Sequence, residues 1–323
     1  MPILEFHRVV FRALLIFIAV HPSQVFSSPS MNGFDLTDAL VDTSNILSGG
    51  PEKDGIPALT RPDFITPAEA AYLEPDDRIL GIRINGISKA YPIAVLYWHE
   101  IVNDQIGDSH FAITYCPLCG TGVAFSAEVS GKNLEFGVSG LLYNSDVLLY
   151  DRESDSLWSQ IMRKAVSGKY KGQSLTLLPV EHTSWEKWQA THKDTLVLSD
   201  KTGYARNYQR NPYADYEKSR NLYFQVTNKA PDWFHPKERI LGIELEGRFK
   251  AYPFSELDKA GQSRITDEFA GQSFTLQWDK QHQHVSVSDA SGNPVAGIEG
   301  FWFAWFAFHP ETEVFRAEKT TDI

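Results

Sequence analysis

A fifteen-residue segment that occurs twice constrains the fold of this chain more than any other feature. Residues 78–92 recur at residues 239–253, with ten of the fifteen positions identical. Each copy alternates apolar and polar residues on both sides of a turn, Asn85-Gly86 in the first and Glu246-Gly247 in the second, which is typical of a β-hairpin. The interval of about 160 residues is too long for a solenoid unit. The pattern predicts two related β-rich halves, and a hairpin used twice without duplication is the alternative.

The similarity continues more weakly beyond each hairpin, where Gly140–Trp158 aligns with Gly300–Phe315. We therefore predict a first β-rich half at residues 78–158 and a second, degenerate half at residues 239–316, packed as one compact unit. Alternating strands and few long helical periods indicate a mostly β fold with short helices, a β-rich α+β class. The other parts are a signal peptide (1–27), an N-terminal extension (28–77), a connecting segment with a short helix and a tyrosine-rich loop (159–238) and a C-terminal tail (317–323).

The N-terminus has the organisation of a secretory signal peptide. Arg8 and Arg12 flank the start of an apolar run that continues to Val20, and Pro22 then precedes small residues suited to cleavage near Ser27. The uninterrupted apolar part is shorter than the roughly 20 residues that a membrane-spanning helix needs. We therefore expect a periplasmic or secreted protein, which is attached to a membrane only if the signal peptide stays uncleaved.

The charge of the chain limits the classes of partner. Acidic side chains number 41 against 30 basic ones, and the formal net charge is −11. A protein that binds nucleic acid by neutralising phosphates needs an excess of positive charge, so no nucleic-acid partner is expected. The sequence also has no nucleotide-cofactor motif, and nothing in it identifies a protein partner.

The two cysteines of the chain fall in one short box, in which Cys116, Pro117 and Leu118 are followed by Cys119 and Gly120. The segments on both sides alternate apolar and polar residues as β-strands do. The box is therefore predicted to be a turn between two antiparallel strands. Four kinds of chemistry are compatible with it.

A metal site is the leading interpretation of the box. Two thiolates three positions apart can bind one soft ion, and a following glycine permits the positive φ that turns backbone N–H groups toward sulfur. Further ligands would have to be histidine or carboxylate, and His99, Glu100 and His110 are nearest in sequence. We predict Cys116, Cys119 and His99 as metal ligands, with zinc or copper as the soft ion.

The other three interpretations use the cysteines without a metal. A redox pair would find oxidising partners after export, but Gly120-Thr121-Gly122 is a poor start for the helix that acidifies thioredoxin-type cysteines. A disulfide staple across so short a loop would remove only roughly 2 kcal/mol of entropy from the unfolded chain. A cysteine nucleophile would need a histidine such as His99 or His110 as its base. The spacing does not choose among these.

The second half lacks the cysteine pair. When Phe111 is aligned without gaps on Phe274, Cys116 falls opposite Asp279 and Cys119 opposite His282. Aspartate and histidine can bind metals, but two thiolates are missing. We expect the second half to have kept the scaffold and lost the site.

A polar segment before the box is predicted to be a short helix at Tyr97–Asp104. At helical spacing His99 and Asn103 share one face, and Glu100 and Asp104 share the next. His99 or Glu100 could complete a metal site or act as a base. A solvated helix face is the alternative for Glu100 and Asp104.

A second polar group lies downstream of the box. Asn144, Ser145 and Asp146 interrupt an otherwise apolar stretch, which indicates a turn or bulge with a function. Asp146 could be a metal ligand or a general base, or the three residues could simply hydrogen-bond their own turn. The candidate helpers of the site are therefore Asp146, Glu100, His110 and Ser145.

Four segments of the chain together resemble one known family: Trp98–Asp104, Tyr115–Thr121, Gly137–Asp146 and Tyr150–Gln160. They are similar to the prokaryotic domain-of-unknown-function family 3179, exported proteins with this cysteine box as their hallmark. The resemblance extends over about residues 45–316. It implies export and marks the box and its neighbours as family features, but the family brings no established activity with it.

Three functional hypotheses follow, and they leave open whether the protein is an enzyme. The leading one is an exported protein whose Cys116/Cys119 thiolate site binds a soft metal ion or handles thiol–disulfide redox. The second is an exported, hydrolase-like enzyme with a cleft around His99, Asp146 and the tyrosine-rich loop. The third is a non-catalytic binding module whose partner surface is aromatic, formed by Trp98, Trp158, Trp302 and Trp305.

Overall fold

The computed structural model describes residues 30–317 of the chain. The predicted signal peptide, and the predicted tail beyond Ala317, lie outside the described residues. Strands predominate in this part, and its five α-helices are each only five to seven residues long. The predicted β-rich α+β class is therefore confirmed. None of the helices in this part is long and apolar enough to cross a membrane.

Three strands of the N-terminal extension join sheets that are formed mainly by later parts of the chain. The five strands of the extension are β1 (Ser30–Met31), β2 (Phe34–Asp35), β3 (Ile46–Ser48), β4 (Leu59–Thr60) and β5 (Phe64–Ile65). β1 and β2 pair with each other, whereas β3, β4 and β5 each form the edge of a different sheet.

The first copy of the repeated segment forms the predicted hairpin. Asn85 and Gly86 at its turn have φ values of 51° and 83°, as a two-residue hairpin turn that matches the strand twist requires. The hairpin, a short helix and three further strands follow in the order β6 (Arg78–Ile84), β7 (Ile87–Pro92), α1 (Ile93–His99), β8 (Ile101–Ile106), β9 (Ser109–Cys116) and β10 (Thr121–Ser126).

The predicted helix at Tyr97–Asp104 is wrong. The helix α1 ends at His99, Glu100 takes a positive φ of 57°, and the chain then continues as β8 between β9 and β4. The residues that follow Glu100 are the β-branched pair Ile101-Val102, which favours a strand. Asp104 is consequently buried, with Oδ2 only 2.6 Å from Nζ of Lys89, and does not lie on a solvated helix face.

A further group of strands follows β10 and carries the Asn144–Asp146 segment. These strands are β11 (Glu128–Val129), β12 (Lys132–Asn133), β13 (Phe136–Tyr143), β14 (Asp146–Asp151), β15 (Leu157–Ser159), β16 (Lys164–Ala165) and β17 (Leu177–Leu178). Five strands make one antiparallel sheet in the order β16-β15-β14-β13-β3. The hairpin of β13 and β14 thus presents its turn, and Asp146 next to it, at the end of this sheet.

The predicted connecting segment contains two short helices, and part of it belongs to the sheet of the first hairpin. After β16 and β17, its elements are β18 (Glu181–Ser184), α2 (Trp185–Thr191), β19 (Leu196–Leu198) and α3 (Ala214–Lys218). β18 pairs with β6, and β19 runs parallel to β7. A Cβ atom on Gly81 of β6 would come within 2.4 Å of the Trp188 ring, so only glycine lets this helix approach the strand.

The second copy repeats this arrangement. Its elements are β20 (Arg239–Leu245), β21 (Arg248–Pro253), α4 (Phe254–Ala260), β22 (Arg264–Phe269), β23 (Gln272–Asp279), β24 (His284–Asp289), β25 (Ile298–Phe301), α5 (Trp302–Phe308) and β26 (Glu313–Val314). β25 pairs with β20, and β26 runs parallel to β21. A Cβ on Gly242 would come within 2.4 Å of the Trp305 ring, just as Gly81 meets Trp188.

These pairings change the predicted alignment of the two copies. The counterpart of Gly300–Phe315 is the segment from β18 to β19, and not Gly140–Trp158. Residues 127–180 separate β10 from β18, whereas only residues 290–297 separate β24 from β25. The weak similarity therefore placed strands of the longer connection opposite α5.

One sheet connects the two copies, because β10 pairs with β25 through Gly122 and Glu299. Its order is β26-β21-β20-β25-β10-β9-β8-β4. Most of the aromatic side chains proposed as a partner surface lie inside the protein instead, since Trp158, Trp302 and Trp305 are at most 3% exposed. That surface is therefore not formed, and these residues belong to the core.

Candidate functional site

The cysteine box is the turn between β9 and β10, as predicted. Cys116 ends β9 opposite Thr121 of β10, and the N–H of Cys119 donates to the carbonyl oxygen of Cys116 at 3.2 Å. Gly120 has a φ of 63°, and a Cβ there would come within 2.8 Å of the Phe301 ring. Both the positive φ and the close ring require glycine at this position. Both cysteines are free thiols and almost fully buried.

The turn between β13 and β14 lies against the cysteine box. Asn144 and Ser145 both have positive φ, 54° and 65°, so these two residues make the tight turn of the hairpin. The carbonyl oxygen of Ser145 is 3.1 Å from Sγ of Cys119 and 3.7 Å from Sγ of Cys116, and it accepts from both thiols. The predicted turn therefore exists, and its backbone is in contact with both sulfur atoms.

Asp146, the residue after this turn, completes a group of three potential metal ligands. One ligand atom from each of Cys116, Cys119 and Asp146 lies within 4.8 Å of the other two, and all three residues are buried. Oδ2 of Asp146 accepts from Oγ of Ser159 at 2.9 Å and from the N–H of Ile161 at 3.0 Å. Oδ1 is buried and has no hydrogen-bond partner among the described residues.

Burial favours the neutral forms of Asp146 and Cys119 in the absence of a metal. It raises the pKa of Asp146 to about 7, although the hydrogen bonds from Ile161 and Ser159 act in the opposite direction. Burial also raises the pKa of the Cys119 thiol, and the neighbouring Cys116 adds to this. A bound cation would reverse both effects, because it stabilises thiolates and carboxylates.

His99, which we predicted as the third ligand, lies outside this group. Its Nδ1 is 2.7 Å from the carbonyl oxygen of Pro57, and its Nε2 is 2.7 Å from the hydroxyl of Tyr208. Its ring also packs against Tyr204. Both nitrogens of His99 therefore have protein partners. Through Tyr204 and Tyr208, His99 connects the tyrosine-rich loop to the end of α1.

The predicted helpers occupy different places. Ser145 donates its hydroxyl to the carbonyl oxygen of Phe224 at 3.1 Å and meets the sulfurs only through its backbone. His110 lies near the start of β9, at the opposite end of the strand from Cys116. Glu100 is the helper that approaches the box, because it borders the same cavity as Cys116.

This cavity has a volume of about 380 Å³ and is otherwise lined mainly by apolar and aromatic residues. Glu100 is only 8% exposed, and its carboxyl group makes no hydrogen bond or ion pair with a described residue. Burial alone raises the pKa of Glu100 to about 8. The group is therefore a proton-carrying carboxyl near neutral pH.

The tyrosine-rich segment covers this side of the site. Tyr213 borders the cavity, and the hydroxyl of Tyr216 donates to the carbonyl oxygen of Leu118 inside the cysteine box at 3.1 Å. This segment is the tyrosine-rich loop of the sequence, residues 203–216. In the structure it packs on the box and also lines the cavity.

Replacing Glu100 by glutamine is expected to make the stability of the metal-free protein less dependent on pH. The folded-state pKa of about 8 lies above the unfolded value of about 4.3. Below the unfolded pKa the carboxyl carries a proton in both the folded and the unfolded state, so Glu100 does not lower the stability of the folded protein. That stability is lost as the pH rises through 8, because the buried carboxyl must then ionise. Glu100→Gln should therefore gain roughly 2–4 kcal/mol relative to wild type between pH 5 and pH 9.

Denaturant unfolding of the metal-free proteins at both pH values measures this difference. Glu128→Gln, at an exposed position, is the matched control and should follow wild type. If Glu100→Gln also follows wild type at both pH values, the carboxyl is not held neutral by burial.

The comparisons with known proteins agree with the resemblance found in the sequence. The chain belongs to the family described as "Protein of unknown function (DUF3179)", whose family model matches residues 53–312. The matched range includes Glu100, both cysteines and Asp146. No curated protein and no solved structure shows a significant match to the chain. The functional argument therefore depends on the geometry of the site.

Proposed function

We propose that Cys116, Cys119 and Asp146 together bind one soft metal ion and that this ion is the functional centre of the protein. The observation that carries the proposal is Oδ1 of Asp146, which is buried without a hydrogen-bond partner in the described chain. A buried polar atom without a partner is costly. An ion bound by the two sulfur atoms and by Oδ1 would give this oxygen a partner.

The donor set favours zinc over copper. Zn²⁺ is commonly bound by combinations of thiolate and carboxylate ligands. Cu(I) prefers soft ligands alone, so it would use Cys116 and Cys119 and leave Asp146 without a partner. We therefore propose zinc as the ion, with copper as the alternative.

The surroundings of the three residues support a site that can react with a small molecule. Ser159 and the N–H of Ile161 hold Oδ2 of Asp146, as outer-shell groups commonly orient a ligand. Three protein ligands leave a fourth tetrahedral position, which catalytic zinc sites fill with water or substrate. Cys116 borders the cavity, so a molecule bound there would lie beside one of the proposed ligands.

Thiol–disulfide redox is the second candidate function. Its support is that both sulfur atoms contact the same carbonyl oxygen of Ser145, so they are close neighbours. Against it, both thiols are almost fully buried, and burial raises the pKa of Cys119. Exchange needs an accessible thiolate. We therefore rank thiol–disulfide redox below metal binding as the function of this site.

A hydrolase in which His99 and Asp146 act together has less support. Both nitrogens of His99 are engaged by Pro57 and Tyr208, and Oδ2 of Asp146 is engaged by Ser159 and Ile161. We propose in addition that the protein acts in the periplasm or outside the cell. The signal-peptide pattern in the sequence is the basis for that location.

Elemental analysis and mass spectrometry of protein purified without chelator or reductant test the metal site. We expect one zinc ion per chain and two thiols that resist alkylation until a chelator is added, because metal-bound sulfur is a poor nucleophile. The control is the same protein unfolded in chelator, in which both thiols should react at once.

Two other results would change the assignment. A metal-free protein that is two hydrogens lighter contains a disulfide, and redox chemistry then becomes the leading function. A metal-free protein whose thiols are alkylated readily in the native state would contradict the metal site, and the accessible thiols would then favour redox chemistry or a cysteine nucleophile.

A further inference from the structure

The cavity beside the cysteine box has one carboxyl group and no basic side chain among its described lining residues. Among the described residues that line it, Glu100 is the only acidic one, and there is no lysine, arginine or histidine. Aliphatic side chains such as Leu118 form much of the wall, and the aromatic residues Tyr213, Tyr223 and Phe224 lie along one part of it. A volume of about 380 Å³ is within the range of small-molecule sites.

The backbone holds Glu100 in place at this cavity. Its N–H donates to the carbonyl oxygen of Leu96 at 2.8 Å, and its own carbonyl oxygen accepts from the N–H of Tyr115 at 2.7 Å. These bonds maintain the positive φ of 57°, which is unfavourable for a residue with a side chain. The backbone of Glu100 is therefore fixed at the cavity, the residue is only 8% exposed, and its carboxyl group has no hydrogen-bond partner among the described residues.

A buried carboxyl without a partner requires either a proton or a cation. The faces of aromatic rings attract organic cations, and the aliphatic wall suits a hydrocarbon group. We propose that this cavity binds a small organic amine in its protonated form, with Glu100 as the counter-ion and the aromatic side chains around the hydrocarbon part. The proposal goes beyond the metal site and does not depend on the metal being bound.

The same lining argues against other classes of ligand. An anion would find no positive side chain among the described lining residues. A large ligand would exceed the volume, and a purely apolar one would leave the carboxyl of Glu100 unpaired. Tyr223 is 62% exposed, so the aromatic part of the wall extends to the protein surface and gives a small molecule a route of entry.

Calorimetric titration with benzylammonium and with benzyl alcohol tests this proposal. The two probes have nearly the same shape and differ in charge. At about pH 8, near the pKa of Glu100, we expect wild type to bind benzylammonium at least about 30-fold more tightly than the alcohol, as a charge-assisted hydrogen bond provides. Glu100→Gln should remove this preference, and the control variant Glu128→Gln should keep it.

The outcomes separate this proposal from the metal site. Equal affinity for the two probes, or no binding of either, would overturn the amine site. Preference for benzylammonium that survives in Glu100→Gln would place the cation elsewhere and would also overturn it. The titration is repeated on wild type with and without chelator. If the protein binds the amine in the presence of chelator, the cavity site is supported even when no metal is found. If the zinc-loaded protein does not bind the amine, only the metal site is supported.

Discussion

Replacing both Cys116 and Cys119 by serine is expected to reduce the metal content from one ion per chain to none and to lower the melting temperature. Serine hydroxyls are poor zinc ligands near neutral pH, so Asp146 alone would remain. An ion present at a thousand times its dissociation constant stabilises the native state by about 4 kcal/mol. Loss of that stabilisation corresponds to a fall of roughly 8 °C for a domain of moderate size.

Single substitutions identify the third ligand. Asp146→Asn keeps the size of the side chain but removes its charge, and we expect a loss of zinc affinity beyond the roughly 10–100-fold typical of a residue that only orients a ligand. His99→Gln is the matched control and should retain the ion. The assignment is wrong if the double cysteine variant keeps its metal, or if His99→Gln loses it while Asp146→Asn does not.

Replacing Lys89 by methionine is expected to destabilise the protein by about 3–5 kcal/mol, because it leaves a buried carboxylate without its counter-charge. Nζ of Lys89 is 2.6 Å from Oδ2 of Asp104, and the hydroxyl of Tyr91 donates to the same oxygen at 2.6 Å. Both members of the pair are buried. Lys89 lies on β7 and Asp104 on β8. The strand β8 begins directly after Glu100 and pairs with β9, which ends at Cys116.

Denaturant unfolding of three variants measures this effect and its origin. Lys89→Met alone should be the least stable, and Lys89→Met combined with Asp104→Leu should recover much of the loss, because no charge then stays buried. The corresponding pair in the second copy, Lys250 and Asp267, is 2.5 Å apart, so Lys250→Met should also destabilise the protein, but by less because Asp267 is only half-buried. A loss below about 1 kcal/mol for Lys89→Met would show that water reaches the pair.

The turns of the fold were predictable because a turn depends on neighbouring residues. Asn85-Gly86 and the glycine of the cysteine box have the positive φ values that the sequence indicated. The polar interruption at Asn144–Asp146 was likewise a tight turn, and it lies against the cysteine box. In each case the cause is a backbone conformation that few residue types adopt, and this can be recognised without knowing what lies opposite.

The error at Tyr97–Asp104 has a tertiary cause. The polar residues Asn103 and Asp104 fit the spacing of a helix face, but the partners that satisfy them come from other elements. Asn103 bonds to the backbone of Phe136, and Asp104 bonds to Lys89 and Tyr91. Pairing with β9 and burial of these side chains therefore favour a strand over the local helical pattern.

Local sequence was sufficient for the β-rich class, the hairpin turns and the two thiols side by side, since backbone preference and short-range spacing specify them. The choice of Asp146 over His99 beside those thiols depended on the tertiary structure. Asp146 follows Cys119 by 27 residues and reaches it only because the β13–β14 hairpin lies against the box. His99 is closer in sequence, but Pro57 and Tyr208 occupy both of its nitrogens. Which groups meet is decided by packing between distant segments, and this information is not contained in the spacing of residues within any one of them.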